Sequence, residues 1–190
     1  MTQKKVERFG PWSRLDRRLA YENPWISVYH DEVIDPGGEP GVYGVVSFKH
    51  RAIGVLAIDD AENLLTVSQY RYPLKKVSLE IPEGGASPGE DPLEAAKREL
   101  REETGYVASQ WRLLLEMDLS NSVTDDNALI FLATGLSDTG VSSLETTESD
   151  LSLSKHSLLA MKRLIAAGEV TDAITVAAVL AYDGLHLSVE

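Results

Sequence analysis

Gly84–Tyr106 reads GGASPGEDPLEAAKRELREETGY, and the fold is decided by what this stretch becomes. Asp91 suits a helix cap, Pro92 the first helical position, and Glu94 stands three residues after the cap. Helix formers continue to Thr104 and Gly105 tolerates a left-handed exit, so the spacing predicts a helix of about a dozen residues. Gly84–Gly89 reads as the loop that feeds it. At ~100° per residue, Leu93, Ala96 and Leu100 fall together as the buried stripe, and Glu94, Lys97 and Arg101 lie opposite. Glu99, Glu102 and Glu103 share a face that borders the stripe, and Arg98 sits four residues before Glu102. An ordinary surface helix keeps its acids away from its apolar stripe. Carboxylates gathered beside the stripe repel one another, and a hard divalent cation such as Mg²⁺ relieves that repulsion while leaving room for phosphate and water.

The same residues carry a specific resemblance. Gly84, Glu90, Arg98-Glu99-Leu100-Arg101-Glu102-Glu103, Gly105 and Tyr106 stand at the spacing of the Nudix box, with every fixed position filled and Tyr106 where an aliphatic residue is more usual. Outside the box, Gln69-Tyr70-Arg71-Tyr72-Pro73, Leu79-Glu80-Ile81-Pro82-Glu83 and Gly168-Glu169-Val170-Thr171-Asp172-Ala173 resemble the ADP-ribose and nucleotide-sugar pyrophosphatases of that family. The resemblance implies an α+β fold, an α/β/α sandwich around a mixed sheet with N-terminal antiparallel strands. It also implies a homodimer in which those strands reach the partner subunit.

The whole chain fits this expectation. Its 190 residues suit one domain with an N-terminal appendage, which we place at residues 1–48 as a dimerising strand region ahead of a catalytic domain at 49–190. The net charge of −12 argues against sequence-independent nucleic-acid binding and anionic membranes. It also means that a phosphate substrate needs cations to bridge it to the protein. Zero cysteines exclude disulfides, thiol catalysis and Cys-based zinc sites. No apolar run of signal-peptide or membrane-spanning length appears, so a cytoplasmic enzyme is expected.

Alternation predicts strands over 17–21, 26–34, 41–48, 52–58, 64–70, 111–119 and 128–134, with breaks at Glu22-Asn23-Pro24 and Asp35-Pro36-Gly37-Gly38. Two helices are expected after the last strand, over 157–167 and 172–182, separated by Gly168-Glu169-Val170-Thr171. His30, His50, His156 and His186 show no spacing that suggests a metal site or a triad, and no Gly-x-Ser-x-Gly elbow is present.

Resemblance assigns Glu99 and Glu103 the principal Mg²⁺ (or Mn²⁺) ligand roles, with Glu102 a further ligand and Glu83 contributing its carbonyl. Glu90 and Arg98 then orient the ligands. The base that deprotonates water lies on a late acidic loop in this subgroup. The matching stretch is Leu144–Asp150, where we favour Glu148 over Glu145 and keep Asp125 and Asp126 as alternatives. Arg71 suits a substrate phosphate, and Trp25 a stacked base contributed across the dimer; packing competes with that role for Trp25 and also for Trp12. Two departures from the subgroup stand out. Glu83 replaces a frequent alanine, and Ser120–Asp126 replaces a Ser-Pro-Gly loop while keeping an acidic pair. The expected reaction is metal-dependent hydrolysis of a nucleoside diphosphate sugar, ADP-ribose or an ADP-sugar first, to a nucleoside monophosphate and a sugar phosphate. A GDP-sugar such as GDP-mannose is the rival substrate. A sensor that binds without turnover is disfavoured by a box that has lost no carboxylate.

Overall fold

The structure is a computed structural model that describes residues 6–140, 144 and 149–187. Two compact units are present, Met1–His50 with Asp118–Asp126, and Arg51–Met117 with Asn127–Glu190.

The first unit is a four-stranded antiparallel sheet in the order β1 (Glu7–Phe9), β2 (Trp12–Glu22), β3 (Ile26–Ile34) and β4 (Pro40–Phe48). Its turns rest on side-chain oxygens. Asn23 Oδ1 accepts from the backbone N–H of Trp25 and Ile26, and Asp35 Oδ1 accepts from Gly37 and Glu39. Gly38 between them has a φ of 91°, which few other residues adopt. Arg17 and Asp31 face each other across β2 and β3 and form a two-bond pair at 2.6 and 2.7 Å. The segment Asp118–Asp126 belongs to this unit because Asp125 closes the edge of β4: its carboxylate accepts from the Ser47 hydroxyl at 2.6 Å and from the Phe48 N–H at 3.0 Å. Strand alternation discloses nothing of this, since the contact joins residues more than seventy positions apart.

The second unit contains β5 (Arg51–Ala57), β6 (Asn63–Arg71), β7 (Lys76–Glu80), β8 (Glu83–Ala86), α1 (Pro92–Thr104), β9 (Tyr106–Asp118), β10 (Asn127–Asp138), β11 (Ser152–Ser157), α2 (Leu158–Ala166) and α3 (Ala173–Leu187). One sheet runs β8-β5-β10-β9 and is mixed, with β5 parallel to β10 and antiparallel to β8; the other runs β11-β6-β7. Period-two alternation along β5 divides the core. Ile53, Val55 and Ala57 pack with Ala95, Ala96 and Leu100 of α1 and with Leu129 and Phe131 of β10. Gly54 and Ile130 turn the other way, toward Ile174 of α3, so helices cover both faces. This is the expected α+β sandwich.

Several elements differ from their predicted extents. The helix that begins the reading is Pro92–Thr104, with Asp91 accepting from Leu93 and Glu94 and Gly105 in the left-handed region, as its caps predict. By contrast, Glu83–Ala86 is a strand and not the start of a loop, because it completes the edge of β5. β7 and β11 are also absent from the sequence reading. The alternation in β11 is nearly all polar, and its place is set by pairing with β6, where Thr66 Oγ1 meets the Ser154 hydroxyl and His156 Nδ1 at 2.9 Å. Among the described residues no helix is long and apolar enough to cross a membrane.

A Cβ on Gly54 would lie 2.5 Å from Ile174 Cγ2. Gly54→Ala is therefore expected to lower stability by about 1–3 kcal/mol, the usual cost of overpacking a core. Ile174→Ala should return the room, so the double variant loses less than the sum in denaturant melts. Full additivity would contradict this packing.

Candidate active site

The site is built where the end of β8 meets α1. Glu99 and Glu103 are one turn apart on the helix, and both are buried despite their charge. Each finds a backbone donor on the neighbouring strand. Gly85 N–H donates to Glu99 Oε1 at 3.1 Å, and Glu83 N–H donates to Glu103 Oε2 at 3.0 Å. Close approach is what makes this possible. A Cβ on Gly84 would fall 2.2–2.4 Å from the Glu99 carboxylate, so any other residue there would displace that carboxylate from the strand.

Arg98 ties the acidic groups together. Its Nη1 donates to Glu99 Oε1 at 2.8 Å and to Glu102 Oε2 at 3.0 Å, while Nε and Nη2 reach Glu90 at 3.1 and 3.3 Å. Nη2 also donates to the Gly85 carbonyl at 3.0 Å, and Glu90 Oε2 accepts from the Ser87 N–H. One guanidinium thus connects three carboxylates to the entry turn of the helix. Burial raises the Glu99 pKa from its ordinary value, with the Arg98 charge acting against that rise.

A second acidic group adjoins the first. Glu80, Glu83 and Asp172 bring ligand atoms within 4.8 Å of one another. Arg71 partly neutralises them through Nε and Nη2, bonding Glu80 at 2.6–3.1 Å and Glu83 Oε1 at 2.7 Å. Glu83 Oε2 is buried without a hydrogen-bond partner. Burial first, then the charges of Asp172 and Glu80, push the Glu83 pKa well above the ordinary carboxylate range. Arg71 read in sequence as a phosphate contact; in the structure its Nε and Nη2 are engaged by these two carboxylates. That partnership is hidden in the sequence, since it depends on how β6 meets β7 and β8.

The donor set suits a hard divalent ion. It consists of oxygens: Glu80, Glu83 and Asp172 bring ligand atoms within 4.8 Å of one another, and one Glu83 oxygen is buried without a partner. Trp25 is in the first unit and 65% exposed. Trp12, in the same unit, stands edge-on to Tyr43 at 5.3 Å and lines a concavity of about 310 Å³ with Arg14, Arg17 and Asp31. Asp125 is occupied by Ser47 and Phe48. Glu145 and Glu148 lie outside the described residues.

Raised carboxyl pKa values make metal-free stability fall with pH. A group whose folded pKa exceeds its unfolded value of about 4.3 stabilises while protonated, and that contribution is lost as pH rises through the folded value. Asp59, held below its ordinary value by the Asn63 N–H, contributes the opposite slope. Thermal melts in chelator should therefore show that Glu99→Gln is destabilised less than wild type as pH rises above about 4.3. Parallel curves for the two proteins would mean that Glu99 is not desolvated.

Residues 48–152 match the NUDIX domain, and residues 12–46 match the nucleoside diphosphate sugar hydrolase N-terminal domain. The chain is 34% identical over 153 residues to the ADP-ribose pyrophosphatase of Mycobacterium tuberculosis, covering 80% of this chain and 73% of that one. It is 38% identical over 107 residues to the methanol dehydrogenase activator of Bacillus methanolicus, covering 56% of this chain and 57% of the relative. A crystal structure of an ADP compounds hydrolase superposes with a TM-score of 0.82 at 23% identity, over 94% of this chain and 96% of the other, which shows a common fold. With the box residues assembled as described and the domain match spanning more than half its length, the chain belongs to the Nudix hydrolase family.

Proposed function

We propose that the chain hydrolyses the diphosphate linkage of a nucleoside diphosphate sugar, with ADP-ribose or an ADP-sugar as first choice, giving a nucleoside monophosphate and a sugar phosphate. The observation that carries this reading is the pair of buried carboxylates, Glu99 and Glu103, fixed against the end of β8, with Glu99 bridged through Arg98 to Glu102 and Glu90. A diphosphate is shielded from water by its own charge, so hydrolysis needs that charge neutralised and the water aligned. Mg²⁺ held by Glu99, Glu103 and Glu102 would neutralise it, and Mn²⁺ would serve by the same chemistry. Glu90 and Arg98 keep the carboxylates oriented, and Glu83 adds its carbonyl. The N-terminal domain match and the name of the mycobacterial relative support a nucleotide sugar as the substrate class.

The base in this reading is Glu148, with Glu145 as its neighbour on the same stretch. Arg71 can meet a substrate phosphate through Nη1, which takes no part in its bonds to Glu80 and Glu83. A cytoplasmic homodimer completes the proposal, built on residues 1–48 as the dimerising region and 49–190 as the catalytic domain. Support for the dimer comes from Leu19, Tyr21 and Val42 on the strands of the first unit and Trp25 in the turn between β2 and β3, all at least half exposed. Such apolar surface favours a covering partner, and Trp25 would then reach the base across the dimer.

A panel of nucleotide sugars with Mg²⁺, read by phosphorus NMR, tests the reaction directly. ADP-ribose should yield AMP and ribose phosphate, and failure of every nucleoside diphosphate sugar would reject the proposal. Glu103→Gln should keep the fold and abolish most turnover; a near-wild-type rate at saturating Mg²⁺ would remove Glu103 from the site. Glu148→Gln should lower kcat by roughly 10²–10⁴-fold with substrate affinity nearly unchanged. If Glu145→Gln causes that loss instead, the assignment moves three residues back. Light scattering showing a monomer at micromolar concentration would reject the dimer and the role of Trp25 across it.

A further inference from the structure

Between β7 and β8 the chain passes from one sheet to the other through two residues only, Ile81 and Pro82. Proline has no N–H, so Ile81 supplies the connection's one backbone donor. Ile81 is fully buried, and an unsatisfied N–H there would be costly. The donor is satisfied by a side chain from far along the sequence: Thr175 Oγ1, in the first turn of α3, accepts it at 2.9 Å. Thr175 is itself fully buried, and its own N–H donates to Asp172 Oδ2 at 2.7 Å, which fixes the turn as an N-terminal cap does. The Pro82 carbonyl accepts from the Val55 N–H at 2.8 Å. Two residues after Ile81, the Glu83 N–H meets the Glu103 carboxylate.

We propose that Thr175 is a positioning residue of the metal site. Its hydroxyl anchors the Ile81–Pro82 connection and so sets where the Glu83 backbone meets Glu103. The first turn of α3, on the far face of the sheet from α1, thereby helps to determine metal affinity. Asp172, which accepts from the Thr175 N–H, also has a ligand oxygen within 4.8 Å of those of Glu80 and Glu83. The inference rests on the reading of Glu103 as a metal ligand.

The test compares Mn²⁺ binding to metal-free wild type, Thr175→Val, Thr175→Ser and Glu103→Gln, with free Mn²⁺ measured by paramagnetic resonance and melting temperatures taken in parallel. Valine keeps the shape and removes the acceptor, so Thr175→Val should bind Mn²⁺ about tenfold more weakly, the lower end of what outer partners of ligands contribute. Serine keeps the hydroxyl, so Thr175→Ser should stay within about twofold of wild type. Wild-type Mn²⁺ affinity in Thr175→Val, even with a lower melting temperature, would make the residue merely structural and overturn the proposal. Wild-type affinity in Glu103→Gln would remove the metal reading and this inference with it. Should Thr175→Val fail to fold, amide exchange in the wild type decides. Mg²⁺ should slow exchange in residues 172–176 together with residues 81–85, and protection confined to α1 and residues 83–85 would overturn the proposal.

Discussion

Like charges buried side by side are the constraint on which this protein turns. Glu99 and Glu103 sit against the core with Glu102 beside them, where water cannot screen their repulsion. The fold answers with donors. Arg98 reaches Glu99, Glu102 and Glu90, and the β8 backbone supplies one N–H to each buried carboxylate. Removing one partner from such a network costs more than any exposed ion pair contributes, because the other charge stays buried.

Much of the surrounding architecture serves that arrangement. Gly84 lets a carboxylate rest on the backbone, and β8 is a strand because pairing with β5 holds its N–H groups in place. The acids of the box therefore depend on the sheet as much as on their own helix. Glu83 adds a second layer, with one oxygen on Arg71 and the other buried without a partner.

What was legible in the sequence was local. Asp91, Pro92 and Gly105 mark the helix through contacts of a few residues, and the carboxylate face follows from helical spacing alone. Glu102 meets Arg98 as a four-residue separation predicts. What was not legible depends on pairing between distant segments. Glu83-Gly84-Gly85-Ala86 has no alternation, and only β5 makes it a strand. Arg71 gives no sign in the sequence of its bonds to Glu80 of β7 and Glu83 of β8, which lie nine and twelve positions away. Asp125, an alternative for the base, also closes the edge of β4 through residues far away in the chain. Thr175 gave no signal, since its partner Ile81 is ninety-four positions away.

Calorimetry of Mg²⁺ binding to the metal-free protein, run in buffers of different ionisation enthalpy, tests most directly whether these buried acids are a metal site. Carboxyl groups with raised pKa values hold protons that a cation must displace. Binding should therefore release protons just above the ordinary carboxylate range, with the release shrinking as pH rises and falling in Glu99→Gln. Binding without proton release at any pH, or no binding heat in any buffer, would contradict the assignment.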